Sequence, residues 1–179
     1  YKAEVARKAI FAGANMVNDV TALRGDPEMA KVIAEAGVPV VLMYSKDKTA
    51  RTTRVKKRYK DVVKTIMEFL EKRIAYARAA GIKKSQIIID PGMGAFVSGE
   101  AKYSFEILKR LREFKKLGCP ILVGTSRKSF LGGTISERLQ AALITNLIAI
   151  LNGTDVIRVH DVSAHKNITD FFVRQPAHY

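Results

Sequence analysis

A single cysteine, Cys119, stands among 179 residues. No internal disulfide can form, and a reducing compartment, the cytoplasm, is expected. No stretch reaches the roughly 18 consecutive apolar residues that a membrane helix needs. The longest apolar block, Leu139 to Leu151, is interrupted by Gln140, Thr145 and Asn146. A secretory signal is absent too, because Tyr1-Lys2-Ala3-Glu4 already reads as the charged start of a helix. With tyrosine rather than methionine at its head, the chain is expected to be a processed or truncated product. It holds no Gly-x-Gly-x-x-Gly, no Walker loop and no Gly-x-Ser-x-Gly elbow, which removes the common nucleotide-phosphate cradles and the hydrolase nucleophile turn. Three histidines and one cysteine in scattered contexts offer no structural zinc site, and no metal ligand is assigned. Cys119, just before Pro120 at the start of a strand, reads as structural.

Negative charge is also scarce. Seventeen Asp and Glu face 31 Lys and Arg, a net charge of +14, and such a field favours anionic partners. Eight of the cations lie between Lys46 and Lys60 beside one acid, Asp47. A solvated loop or helix face is the first reading of that run and a polyanion site the second. Tyr59 is its only aromatic, short of the stacking platform that single strands need. The remaining composition, 47% hydrophobic and 27% charged, is ordinary for a globular chain, and the length suits one domain rather than two.

Short apolar runs alternate with longer amphipathic segments. Strands are expected at Met16 to Val20, Val38 to Tyr44, Ile87 to Ile89, Ile121 to Val123 and Val156 to Val159. Helices are expected at Ala3 to Phe11, from an Asp26-Pro27-Glu28 cap to Ala36, at Tyr59 to Ala80, Ala101 to Leu117 and Ser136 to Asn152, and near Ile168 to Val173. Continuous apolar strands separated by helices mean a parallel sheet buried on both faces. Two architectures satisfy this: an open doubly wound sandwich, or part of an eight-stranded α/β barrel that needs about 250 residues. Length alone favours the sandwich.

Polar residues sit where these strands end: Asn18-Asp19, Tyr44-Ser45, Asp90, Ser126-Arg127-Lys128 and Arg158-Val159-His160-Asp161. Parallel sheets of either kind bind ligands at their carboxyl ends, so a small-molecule site is expected there. In Asp90-Pro91-Gly92-Met93-Gly94, proline rejects a helix and the glycines permit a tight turn. The carboxylate left at the rim can accept paired N–H donors from a flat heterocycle, or cap its own turn. Gly124-Thr125-Ser126-Arg127-Lys128-Ser129 combines hydroxyls with two adjacent cations and suits an anion or a carboxylate, or is a basic surface turn. Arg158 and His160, two apart on a strand, are expected on one face, where both can meet phosphate oxygens.

Met16-Val17-Asn18-Asp19-Val20, Val41-Leu42-Met43, Asp90-Pro91-Gly92-Met93-Gly94, Leu122 to Phe130, Glu137-Arg138-Leu139 and Ile157 to Val162 occur in that order. Together they resemble the dihydropteroate synthase family of pterin-binding enzymes over nearly the whole chain. The resemblance implies an α/β fold of the TIM-type (β/α)8 barrel kind, of which this chain carries the C-terminal five strands. It also implies one pterin-binding barrel domain over residues 1–179, incomplete at its N-terminus. The implied reaction is a transferase step of folate biosynthesis. It condenses 6-hydroxymethyl-7,8-dihydropterin pyrophosphate with 4-aminobenzoate and releases pyrophosphate with the help of Mg2+, whose usual ligand loop is missing here. By resemblance Asn18, Met43, Asp90 and Lys128 hold the pterin, Arg158 and His160 bind the pyrophosphate, and Arg127 and Ser129 take the aminobenzoate. Lys128, Arg158 and His160 are then the catalytic group. Two segments depart from the family pattern. Tyr44-Ser45 stands where the family has His-Met, and Ala95-Phe96-Val97-Ser98 follows Gly94 where it usually has Phe-Gly-Lys. A different arylamine, a pterin-binding methyltransferase and a basic nucleic-acid-binding module are the competing readings, the last ranked lowest. The implied partners are small-molecule substrates and a second copy in a homodimer, with no membrane.

Overall fold

The computed structural model describes residues 1–174. Five short parallel strands run in chain order: β1 (Val17–Asp19), β2 (Val40–Met43), β3 (Ile87–Asp90), β4 (Leu122–Val123) and β5 (Val156–Ile157). Val17 pairs with Val40, Met43 with Asp90, and Leu122 with Val156, while a parallel bridge from Ile89 to Ile121 joins β3 to the β4 segment. The spatial order is therefore 1-2-3-4-5, with no reversal. A doubly wound sheet reverses its order at a switch point, so the sandwich that length favoured is overturned.

The two strand faces differ in kind. Val40, Leu42, Ile87, Ile89, Ile121 and Val123 face the main hydrophobic cluster, where Ile33, Ile66, Leu70, Ile107, Leu111 and Phe114 from the helical layer are fully buried against them. The registers place Asn18, Val41, Met43, Ile88, Asp90, Leu122, Val156 and Arg158 on the opposite parity. Helices on one face and polar strand ends on the other are the arrangement of a barrel wall.

The helices are α1 (Ala3–Phe11), α2 (Met29–Ala36), α3 (Val62–Ala79), α4 (Ala101–Lys109), α5 (Arg138–Leu151) and α6 (Val162–Arg174). α3 starts three residues later than its pattern predicts, because Asp61 is the N-cap and accepts the Lys64 amide at 2.9 Å. Asp26 serves two helices: its carboxylate accepts the Ala3 amide at the head of α1 and the Glu28 amide before α2. The helix expected from Ala101 to Leu117 breaks at Arg110, whose backbone (φ −104, ψ 20) leaves the helix, and Leu111–Leu117 continues as a 3-10 turn. The Arg110 guanidinium gathers Glu106, Glu113 and Asp61, which fastens α4 to the head of α3. The last helix begins at Val162 rather than Ile168, with the His165 amide donating to the Asp161 carbonyl. Among the described residues no helix is long and apolar enough to cross a membrane.

Candidate active site

Asp90 closes β3 with its carboxyl group buried on the helix-free parity. One oxygen accepts the Gly92 amide at 2.7 Å, so the turn-capping reading holds for that oxygen, and the other accepts no protein donor among the described residues. Gly92 is required: its φ is +72, and a Cβ would overlap the Tyr44 carbonyl oxygen. That carbonyl is fixed in turn because the Tyr44 amide donates to the Asp90 carbonyl at 2.8 Å. Burial pushes the Asp90 carboxyl up, while Lys128, the Gly92 amide and Arg158 pull it down. Lys128 mirrors this: burial lowers its ammonium, Asp90 raises it, and Arg158 lowers it again. The ammonium lies 4.5 Å from the Phe96 ring centroid and 3.5 Å from the Met93 carbonyl oxygen. Asp90, Lys128 and Arg158 are thus one electrostatic group.

Asn18 and Met43 lie on the parity of Asp90 across β1, β2 and β3. Arg158 lies one residue past β5, its amide still donating to the Val123 carbonyl at 2.9 Å. The expected strand to Val159 stops at Ile157 because the chain turns there onto the β4 loop. His160 donates its amide to Ser126 Oγ at 3.2 Å and sets Nδ1 3.0 Å from the same oxygen. The shared strand face predicted for Arg158 and His160 is replaced by this loop contact.

The structure separates two residues, Arg127 and Ser129, that the sequence holds two apart. Arg127 takes a left-handed conformation (φ 58) and its guanidinium donates to Asp161 at 2.9 Å. Both line an open cavity of ≈ 540 Å³ with Ile135, Ser136 and Leu139. Ser129 instead lines a different cavity, of ≈ 430 Å³, with Gly94, Ala95, Phe130 and Arg54.

Sequence reasoning missed the supports of this rim. Asp19 points away from the Asn18 face and accepts the Thr21 and Leu23 amides and the Thr21 hydroxyl. Ala22 and Leu23 hold left-handed φ values of 51 and 62, and Arg73 of α3 donates to both of their carbonyls. Arg24 donates to the Thr21, Ser45 and Asp47 carbonyls and stacks on Phe69. The basic segment then runs along the β3 loop: Thr52 donates to the Ala95 carbonyl, Gly99 to the Val55 carbonyl, and Tyr59 Oη to the Val97 carbonyl. The one sequence signal for these supports was the charge run itself. Among the described residues no group of three or more His, Cys, Asp or Glu side chains could hold a metal ion.

A parallel α/β wall with a buried acid–base pair at its carboxyl edge is the arrangement of the α/β barrels, which bind ligands at that edge. The chain belongs to the pterin-binding enzyme family, which matches residues 1–160. Dihydropteroate synthase of Clostridium beijerinckii is 39% identical over 183 residues, covering 98% of this chain and 64% of that relative. The chain therefore spans less than two thirds of that relative's length. Among solved structures, dihydropteroate synthase of Stenotrophomonas maltophilia superposes with a TM-score of 0.90 at 36% identity, over 99% of this chain and 68% of that one. The Xanthomonas albilineans enzyme in complex with 7,8-dihydropteroate gives 0.85 at 35%, over 98% and 66%.

Proposed function

We propose that the chain is the pterin-binding part of a dihydropteroate synthase and carries the C-terminal five strands of an eight-stranded barrel as a single domain over residues 1–179. It works in the cytoplasm, on small-molecule substrates and as a homodimer. The observation that carries the reading is Asp90, a buried carboxylate with one oxygen committed to Gly92 and the other available. A flat heterocycle with adjacent N–H donors satisfies that oxygen, and Asn18 and Met43, on the same parity, frame the ring. Lys128 and Arg158 supply the positive field beside it.

In the reaction the arylamine nitrogen forms a bond to the pterin methylene carbon as the carbon–oxygen bond to pyrophosphate breaks. Pyrophosphate leaves with the electron pair and the nitrogen loses a proton. No protein nucleophile is needed. Arg158 and His160 bind the leaving group, whose growing negative charge the cations stabilise, and Asp90 and Lys128 hold the electrophile in line. Mg2+ would assist the departing pyrophosphate when bound, while this chain's own residues bind and orient the substrates. Ser129 faces the second substrate from the β4 loop. Calorimetric titration with 6-hydroxymethyl-7,8-dihydropterin pyrophosphate tests the proposal. Saturable binding, followed by dihydropteroate formation when 4-aminobenzoate is added, is expected; absence of pterin binding overturns it.

A further inference from the structure

Arg127 lies two residues before Ser129, yet it is spent on Asp161 and lines the other cavity. The cation that shares the Ser129 cavity is Arg54, delivered from 75 residues earlier in the chain by the basic segment. We infer that Arg54 is a specificity-determining residue for the second substrate, the counter-ion for the acidic group of a carboxylate-bearing arylamine. The inference rests on the pterin-synthase reading above.

Three observations carry it. The cavity of ≈ 430 Å³ lies between the β3 and β4 loops, beside Gly94 of the Asp90 turn, and Ser129 and Arg54 both border it. Its size falls within the range of small-ligand sites. The Arg54 guanidinium has no carboxylate partner among the described residues, whereas Arg110, Arg127 and Lys46 each do. Its backbone is held in place rather than left loose. Gly99 donates to the Val55 carbonyl, and a Cβ at Gly99 would come within 2.6 Å of the Arg54 carbonyl oxygen. Thr52 on one side is bonded to Ala95, and Lys57 on the other accepts from Ser98 Oγ. A segment fixed on both sides of Arg54 keeps this cation at the Ser129 cavity, where a guanidinium fork can meet a carboxylate.

The test compares binding of 4-aminobenzoate with that of its neutral isostere 4-aminobenzamide, in the presence of saturating 6-hydroxymethylpterin and inorganic pyrophosphate, which cannot react. The parent chain is expected to prefer the acid. Arg54→Gln is expected to reduce that preference by about tenfold to a hundredfold while pterin affinity is retained. Arg51→Gln, which removes the same charge from the same segment, is expected to change it by less than about twofold. Pterin binding with an undiminished preference in Arg54→Gln overturns the Arg54 assignment alone, as does an equal effect of the two variants. Absence of pterin binding in the parent overturns the functional reading and this inference with it.

Discussion

Asp90→Asn separates binding from folding more cleanly than any other change at this rim. The amide oxygen can still accept the Gly92 amide, so the turn stays closed. The second position, however, becomes an NH2 donor and meets the donors of the heterocycle head on. Replacing one charge-assisted bond, worth about 1.5–3 kcal/mol, by a donor–donor clash weakens pterin binding by about 100-fold. Stability moves the other way. Because burial raises the Asp90 carboxyl, the stability tied to its protonated form is complete below the ordinary carboxylate range and is lost as pH rises through the raised value. Asparagine carries no such charge. The variant is therefore at least as stable as its parent at neutral pH, and its stability varies less as pH rises above the ordinary carboxylate range. Calorimetry with 6-hydroxymethyl-7,8-dihydropterin pyrophosphate, and urea unfolding across a pH series, read the two quantities separately. Unchanged pterin affinity would refute the assigned role, and so would a loss of stability parallel to the loss of affinity.

Gly92→Ala forces a Cβ onto the Tyr44 carbonyl at a left-handed φ of +72, and urea unfolding is expected to show a loss of at least about 2 kcal/mol; a loss near zero would mean that the turn relaxes freely. Desolvation tends to raise the Asp47 carboxyl, but Lys46, the Thr53 amide and the Thr52 hydroxyl hold it at about 2. Its contribution to stability is then present above the ordinary carboxylate range and fades as pH falls towards about 2. Hydrogen exchange across residues 46–60 is expected to accelerate in that window before exchange in β2 and β3 does, and simultaneous acceleration would contradict it.

The positions of the strands were legible because Val40 to Met43 and Ile87 to Ile89 are unbroken apolar runs, and their polar ends marked the rim. Strand order was not legible, since periodicity within a strand carries no information about its neighbour, and length pointed the wrong way. Asp90 was readable from the proline and glycines that follow it. Arg127 and Ser129 looked like one site because they are close in sequence, but a single left-handed residue at Arg127 sends their side chains to different cavities. Arg54 was visible only as one charge among eight, because what distinguishes it is the cavity that it shares with Ser129 in three dimensions. The break in α4 was hidden for the same reason: Arg110 reads as a helix surface residue until Asp61, 49 positions away, is placed beside it.

The loops after the strands are tied to one another in sequence around the rim. Arg24 joins the first to the second, Thr52 the second to the third, Lys128 the fourth to the third, and Ser126 the fourth to the fifth through His160. The mouth of the wall is consequently a laced arc rather than a set of independent fingers. Lengthening or exchanging any of the three inner loops cuts at least two laces at once, so changes of substrate in this molecule are easiest through single side chains that hang from the arc, and hardest through the loops that form it.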